Sequence, residues 1–171
     1  MTEYISQVQK QMILNKTLIH GDFTLASGQK SNEKIEIDRI ETNSIYFYAA
    51  IGGLARCINA NIDFEEHDTL ALVTMATGAT RFGDPLASIF PVFHVPSRKD
   101  GEGNLYIPER TRGLPCILVD DVYSTGSTFE KAKRLIDGRV LGAFVLADRS
   151  GKTDPTLSDG EKVHSVFQYV L

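Results

Sequence analysis

Stretches of helical spacing and continuous apolar runs alternate along this chain. Tyr4 to Ile19 places Ile5, Val8, Met12 and Ile13 at helical intervals, which predicts a helix lying on the domain surface. Gly21 to Ser31 carries a hairpin signal, and the alternating Ile35-Glu36-Ile37-Asp38 that follows predicts a half-exposed strand. Asn43 or Ser44 can cap a second helix reaching about Asn59, with Ile45, Tyr48, Ala49, Leu54 and Ile58 as its apolar side. Gly52-Gly53 weakens that helix and permits close packing on a sheet. Leu70 to Val73, Cys116 to Val119 and Val140 to Leu146 are unbroken apolar runs, the pattern of strands buried on both faces, and Val92 to Val95 is a further strand. Asp84 before Pro85 reads as an N-cap with proline in the first helical turn, opening a short helix through Ile89. Val163, Val166, Tyr169 and Leu171 belong to a final edge strand or hood element.

This alternation through residues 69 to 146 predicts an α/β fold, a parallel central sheet with helices on both faces. The N- and C-terminal segments, about 20–40 and 150–171, would form a small hood over the carboxyl ends of the strands.

Bulk properties narrow the picture. A length of 171 residues fits one domain, 1–171, with an independently stable core. The net charge of −4 argues against a nucleic-acid-binding surface and admits an anionic substrate only where basic residues gather locally. Cys57 and Cys116 stand far apart in apolar settings, which suits buried thiols in a reducing cytoplasm better than a disulfide or a zinc site. No signal peptide or membrane-length apolar run is visible, so a cytoplasmic protein is expected. The histidines His20, His67, His94 and His164 lack metal-ligand spacing and are not site candidates.

The chemistry concentrates in Cys116 to Ala132, CILVDDVYSTGSTFEKA. Two adjacent acids, Asp120 and Asp121, follow the apolar run where the strand should end, and Ser124-Thr125-Gly126-Ser127-Thr128 comes next. Ser127 with Glu130 reads as a capping box, so a helix should start there. A strand turning into a helix through a glycine-containing loop aims several main-chain N–H groups at one spot, a seat for phosphate. The neighbouring carboxylates can accept hydrogen bonds from sugar hydroxyls or hold a divalent metal. Together these suit a sugar phosphate. A P-loop is excluded because no lysine lies between Asp121 and Lys131, and a dinucleotide fingerprint because Gly126 is the only glycine available.

The stretch resembles the ribose-phosphate signature of the type I phosphoribosyltransferases at every position, and F-T-L-x-S-G-x-x-S over residues 23–31 is similar to the base-covering segment of the orotate enzymes. The resemblance implies the type I phosphoribosyltransferase fold. It also implies transfer of phosphoribose from phosphoribosyl pyrophosphate to a nucleobase, most simply orotate, with Mg²⁺ mainly on the diphosphate and Asp120 and Asp121 as its candidate protein ligands. In that reading Asp120, Asp121, Ser124, Thr125, Gly126, Ser127 and Thr128 bind the ribose phosphate, and Thr77, Gly78 and Arg81 the pyrophosphate. Arg149 in Asp148-Arg149, with Ser27 and Gly28, would bind the base. Arg98 and Lys99 open a polar stretch, Ser97 to Asn104, expected to be a mobile surface loop. In a homodimer with shared active sites the matching loop closes over the neighbour's site, so both cations count as catalytic candidates. Ala26 stands where relatives commonly carry a lysine, Asn32, Glu33 and Lys34 replace aromatic residues, and the loop is shorter than usual. The same chemistry on another base, and a non-catalytic protein that binds phosphoribosyl pyrophosphate or a nucleotide, therefore stay open.

Overall fold

The computed structural model describes residues 4–24, 28, 30–108, 111 and 113–169. Its centre is a five-stranded sheet built from β3 (Leu70–Thr74), β4 (Val92–Pro96), β7 (Cys116–Tyr123), β8 (Val140–Asp148) and β9 (Val163–Gln168). The strand order is β4-β3-β7-β8-β9, and every pair is parallel. Parallel pairing requires crossovers that place cover on both faces, which explains the unbroken apolar runs of the inner strands. On one face Leu72, Val119, Leu146 and Val166 pack with residues of α1 (Gln7–Thr17), α2 (Ser44–Asn59) and α3 (Thr80–Ala87). On the other, Val73, Leu118 and Val145 pack with Phe129 and Ala132 of α4 (Ser127–Lys133) and with Leu157. The expected α/β architecture with helices on both faces is therefore observed.

Several local expectations are corrected. α1 is capped by Ser6 in a reciprocal box with Gln9, and its buried face is Ile13, Leu14 and Thr17, whereas Val8 is 69% exposed. In α2 the N-cap is Asn43, as expected, but Ile45 and Tyr48 point outward and Ala50, Ile51, Leu54, Cys57 and Ile58 form the buried side. The apolar residues of both helices are too many to fit one stripe, and contact with the sheet selects among them. A Cβ on Gly53 would stand 2.6 Å from Val166 Cγ1 and 2.8 Å from Ile5 Cγ2, so the expected close approach is made there. Asp84 caps nothing: α3 begins at Thr80 and holds Pro85 inside it. The strand expected over 35–38 lies earlier, where β1 (Leu18–Thr24) and β2 (Lys30–Ile35) form an antiparallel hairpin, and Ile37–Ile40 is a short 3₁₀ turn. Ile37 and Ile40 are both buried, which a 3₁₀ turn achieves at a spacing of three and a strand would not.

The hairpin is tied to the carboxyl end of the sheet, because Tyr169 Oη, just past β9, donates to Glu33 Oε2 at 2.8 Å. Residues 98–106 are more regular than the irregular loop expected. β5 (Arg98–Lys99) pairs with β6 (Leu105–Tyr106), and Asp100 Oδ1 accepts from the main-chain N–H groups of Glu102 and Asn104 at 2.9 and 2.8 Å. Leu171 lies outside the described residues.

Candidate active site

β7 does not stop at Val119. It runs on through both acids to Tyr123, pairing Asp120 with Val145 and Tyr123 with Asp148 of β8. The extension holds the two carboxylates rigidly at the carboxyl end of the central strand, half-buried, instead of in a loop. The chain then turns through Ser124-Thr125-Gly126 into α4. Gly126, not Ser127, is the N-cap, and its φ of +84° lies in the left-handed region that favours glycine. The anticipated capping box is absent, since Glu130 accepts instead from Ser158 N and Ser158 Oγ, both at 2.7 Å. Because no side chain caps α4, the turn keeps its donors open. Among the described residues the main-chain N–H groups of Thr125, Gly126 and Thr128 have no acceptor, and that of Ser127 has only Thr125 Oγ1 at 3.4 Å.

Those donors face a cleft of about 220 Å³ lined by Ala76, Gly78, Asp120, Asp121 and residues 122–129. Sequence reasoning missed Tyr123 and Phe129. Their stacked rings, 6.2 Å apart, back the turn, and both fall outside the polar signature, where only their size could have signalled them. Gly78 reaches the cleft from the β3–α3 loop and presses on Asp121, whose carboxylate a Cβ there would overlap.

The acids have unusual electrostatics. Burial, and then the charge of Asp121, push Asp120 well above the usual carboxylate range, although the Asp121 N–H donates to Asp120 Oδ1 at 2.9 Å and Lys99 is near enough to pull the other way. Burial also raises Asp121, against hydrogen bonds from Asp120 and from Val122 N at 2.7 Å. Two carboxylates sharing a half-dry cleft favour whatever cation or hydroxyl relieves them.

The remaining anticipated site residues divide. Lys99 projects its charge toward Asp120 from the exposed hairpin, and Arg98 is exposed beside it. Thr77 is exposed next to Gly78. Arg81 does not line the cleft: it pairs with Asp38 at 2.9 Å and with Glu41, two acids that the sequence did not connect with it, while its buried Nε has no hydrogen-bond partner among the described residues. Arg149 follows β8, its N–H bonded to Tyr123 O at 2.9 Å and its charge felt at the Tyr169 hydroxyl. Gly28 is exposed with φ +84° and open space around it, while Ser27 and Ala26 lie outside the described residues. No group of three or more metal-ligating side chains occurs among the described residues.

Comparison with solved structures agrees with this topology. Orotate phosphoribosyltransferase from Aeropyrum pernix superposes with a TM-score of 0.73 at 23% identity, covering 95% of this chain and 93% of that one. Adenine phosphoribosyltransferase from Thermoanaerobacter pseudethanolicus gives 0.70 at 20% identity, covering 93% and 99%. The fold is that of the type I phosphoribosyltransferases. No family model matches the chain. Curated relatives do: orotate phosphoribosyltransferase of Sulfurisphaera tokodaii is 31% identical over 170 residues, 93% of this chain and 82% of that protein. That of Saccharolobus solfataricus is 31% identical over 168 residues, 92% and 80%. The chain belongs to the orotate phosphoribosyltransferase family, whose members are pentosyltransferases.

Proposed function

We propose that this protein transfers phosphoribose from phosphoribosyl pyrophosphate to a nucleobase, orotate by the names of its relatives, releasing pyrophosphate. One observation carries the reading: paired acids and a ring of unpartnered main-chain N–H groups face one cleft at the end of the central strand. The N–H groups of residues 125–128 and the hydroxyls of Thr125 and Thr128 grip the 5-phosphate. Asp120 and Asp121 accept from the 2- and 3-hydroxyls and lie under the ring as it gains positive charge. Burial strengthens that stabilisation, because little water competes with the carboxylates. As the base nitrogen bonds to C1, the C1–O bond to the diphosphate breaks and pyrophosphate leaves with the electron pair. Lys99 and Arg98 offset its charge, Thr77 and Gly78 offer main-chain contacts, and Arg81 joins only on leaving Asp38 and Glu41.

Two adjacent carboxylates suit Mg²⁺ held chiefly by substrate oxygens, since that ion needs few protein ligands. When bound, it neutralises the diphosphate and makes it a better leaving group. In this reading Arg149 and Gly28 serve the base side within a single 1–171 domain; the β1–β2 hairpin is the hood, whereas the C-terminal strand β9, expected as part of it, is an edge strand of the central sheet. The reading also takes the protein as a cytoplasmic homodimer with shared active sites. No described helix is long and apolar enough to cross a membrane.

A second reading, another base, is supported by Glu33. Its carboxylate sits on the Tyr169 hydroxyl near Arg149, and an acid there favours a base presenting N–H groups over one carrying a carboxylate. Incubation with Mg²⁺, phosphoribosyl pyrophosphate and a panel of bases, with pyrophosphate as readout, tests both. Release with orotate alone supports the first, release with another base the second, and release with none removes the transferase assignment.

A further inference from the structure

The residues behind the 75–79 loop form a connection that neither the cleft nor the signature uses. His94 of β4 is 10% exposed and bonded at both ring nitrogens, Nδ1 to Asp84 Oδ1 at 2.6 Å and Nε2 to Thr74 Oγ1 at 2.9 Å. With a neutral ring, Nδ1–H donates to the carboxylate and the Thr74 hydroxyl donates to Nε2. The ring lies against α3 where Gly83 leaves room, and a Cβ at Gly83 would overlap it. His94 is paired with Leu72 in a sheet covered on that face by apolar side chains, so an aliphatic residue would fill the space equally well. What an imidazole adds is a bond at each end, joining α3, β4 and the last residue of β3.

Thr74 is fully buried, and the loop starts immediately after it. Its carbonyl accepts from Ser97 N at 2.9 Å, and Ser97 Oγ accepts from Ala76 N at 2.8 Å. The start of the loop is thus stitched to the end of β4, and the chain reaches Gly78 against Asp121 within four residues of Thr74. We propose that His94 is a positioning residue: clamped by Asp84, it holds Thr74 so that the 75–79 loop presents its main chain to the diphosphate of the substrate. This rests on the transferase reading above, in which that loop faces pyrophosphate.

Titration calorimetry with Mg²⁺ pyrophosphate and, separately, with ribose 5-phosphate tests it, alongside hydrogen exchange of the Ala76 amide. Thr74→Val should weaken Mg²⁺ pyrophosphate by roughly tenfold and speed Ala76 exchange by a similar factor, with ribose 5-phosphate within about twofold. Thr74→Ser, which keeps the hydroxyl, should restore both. Equal losses for the two ligands, or no change in pyrophosphate affinity, would overturn the proposal. Should Thr74→Val not fold, Asp84→Ala alters a side chain that is 91% exposed and should weaken pyrophosphate about threefold. No effect there counts against the clamp. If the unaltered protein binds neither ligand, the transferase reading fails on its own, and unchanged Ala76 exchange in Thr74→Val then removes the clamp independently.

Discussion

The β7–α4 turn and the β5–β6 hairpin, whose Lys99 charge acts on Asp120, are built in opposite ways. The β7–α4 turn grows from an eight-residue strand paired with β8 along its length and with β3 as far as Val119, and Phe129 and Ala132 anchor α4 in the core. The β5–β6 hairpin, by contrast, has two ladder pairs, Arg98 with Tyr106 and Lys99 with Leu105, and a turn held largely by Asp100. Arg98, Lys99 and Tyr106 are all exposed. An element with so little buried surface opens at small cost in free energy, whereas the turn moves only with the sheet. In the proposed reaction the contrast is a division of labour: the turn sets shape and hydrogen-bond geometry for the sugar phosphate in advance, while the hairpin brings positive charge on a part free to rearrange.

Breaking the rigid side should cost most. Asp121→Asn is expected to lower turnover about a hundredfold or more while the thermal transition stays cooperative; an unaltered rate would mean that the acids are not part of the chemistry. On the hairpin side, Lys99→Ala should reduce turnover about tenfold, or ~1.4 kcal/mol in the barrier. Ribose 5-phosphate affinity should hold, and a parallel loss of that affinity would erase the proposed division.

Asp120→Asn sharpens the comparison through stability. Burial and the charge of Asp121 raise Asp120, so above that raised pKa the folded state carries a penalty that the unfolded chain escapes. The penalty disappears as pH falls below the unfolded value of about 3.9. The variant should therefore melt higher than the parent at pH 8, by on the order of 1 kcal/mol, with the gap closing on acidification. A gap that widened on acidification would have the wrong sign. The smallest effect belongs to Asp100→Ala, which removes the turn's acceptor. The melting temperature should barely move, because the hairpin contributes little to the core.

Unbroken apolar runs such as Leu70 to Val73 and Val140 to Leu146 were legible as buried strands, because a parallel sheet covered on both faces tolerates few polar interruptions. The order of acids, small residues and glycine after Cys116 made the strand–turn–helix with its open main-chain donors legible as well, since donors at a turn follow from local order alone. Helix faces did not yield: α2 has enough apolar residues for several stripes, and Ile45 and Tyr48 turned outward once Leu54, Cys57 and Ile58 met the sheet. Nor did the capping residue, because Glu130 was drawn to Ser158 across 28 positions of chain.

Local order along the chain was thus sufficient for the strands of the central sheet, but not for β2, β5 and β6. The pairing of Arg81 with Asp38 and Glu41, the reach of Lys99 toward Asp120, and the seat of His94 between Asp84 and Thr74 arose only when distant segments met. Whether a charge is free or spent depends on a neighbour that no nearby residue announces.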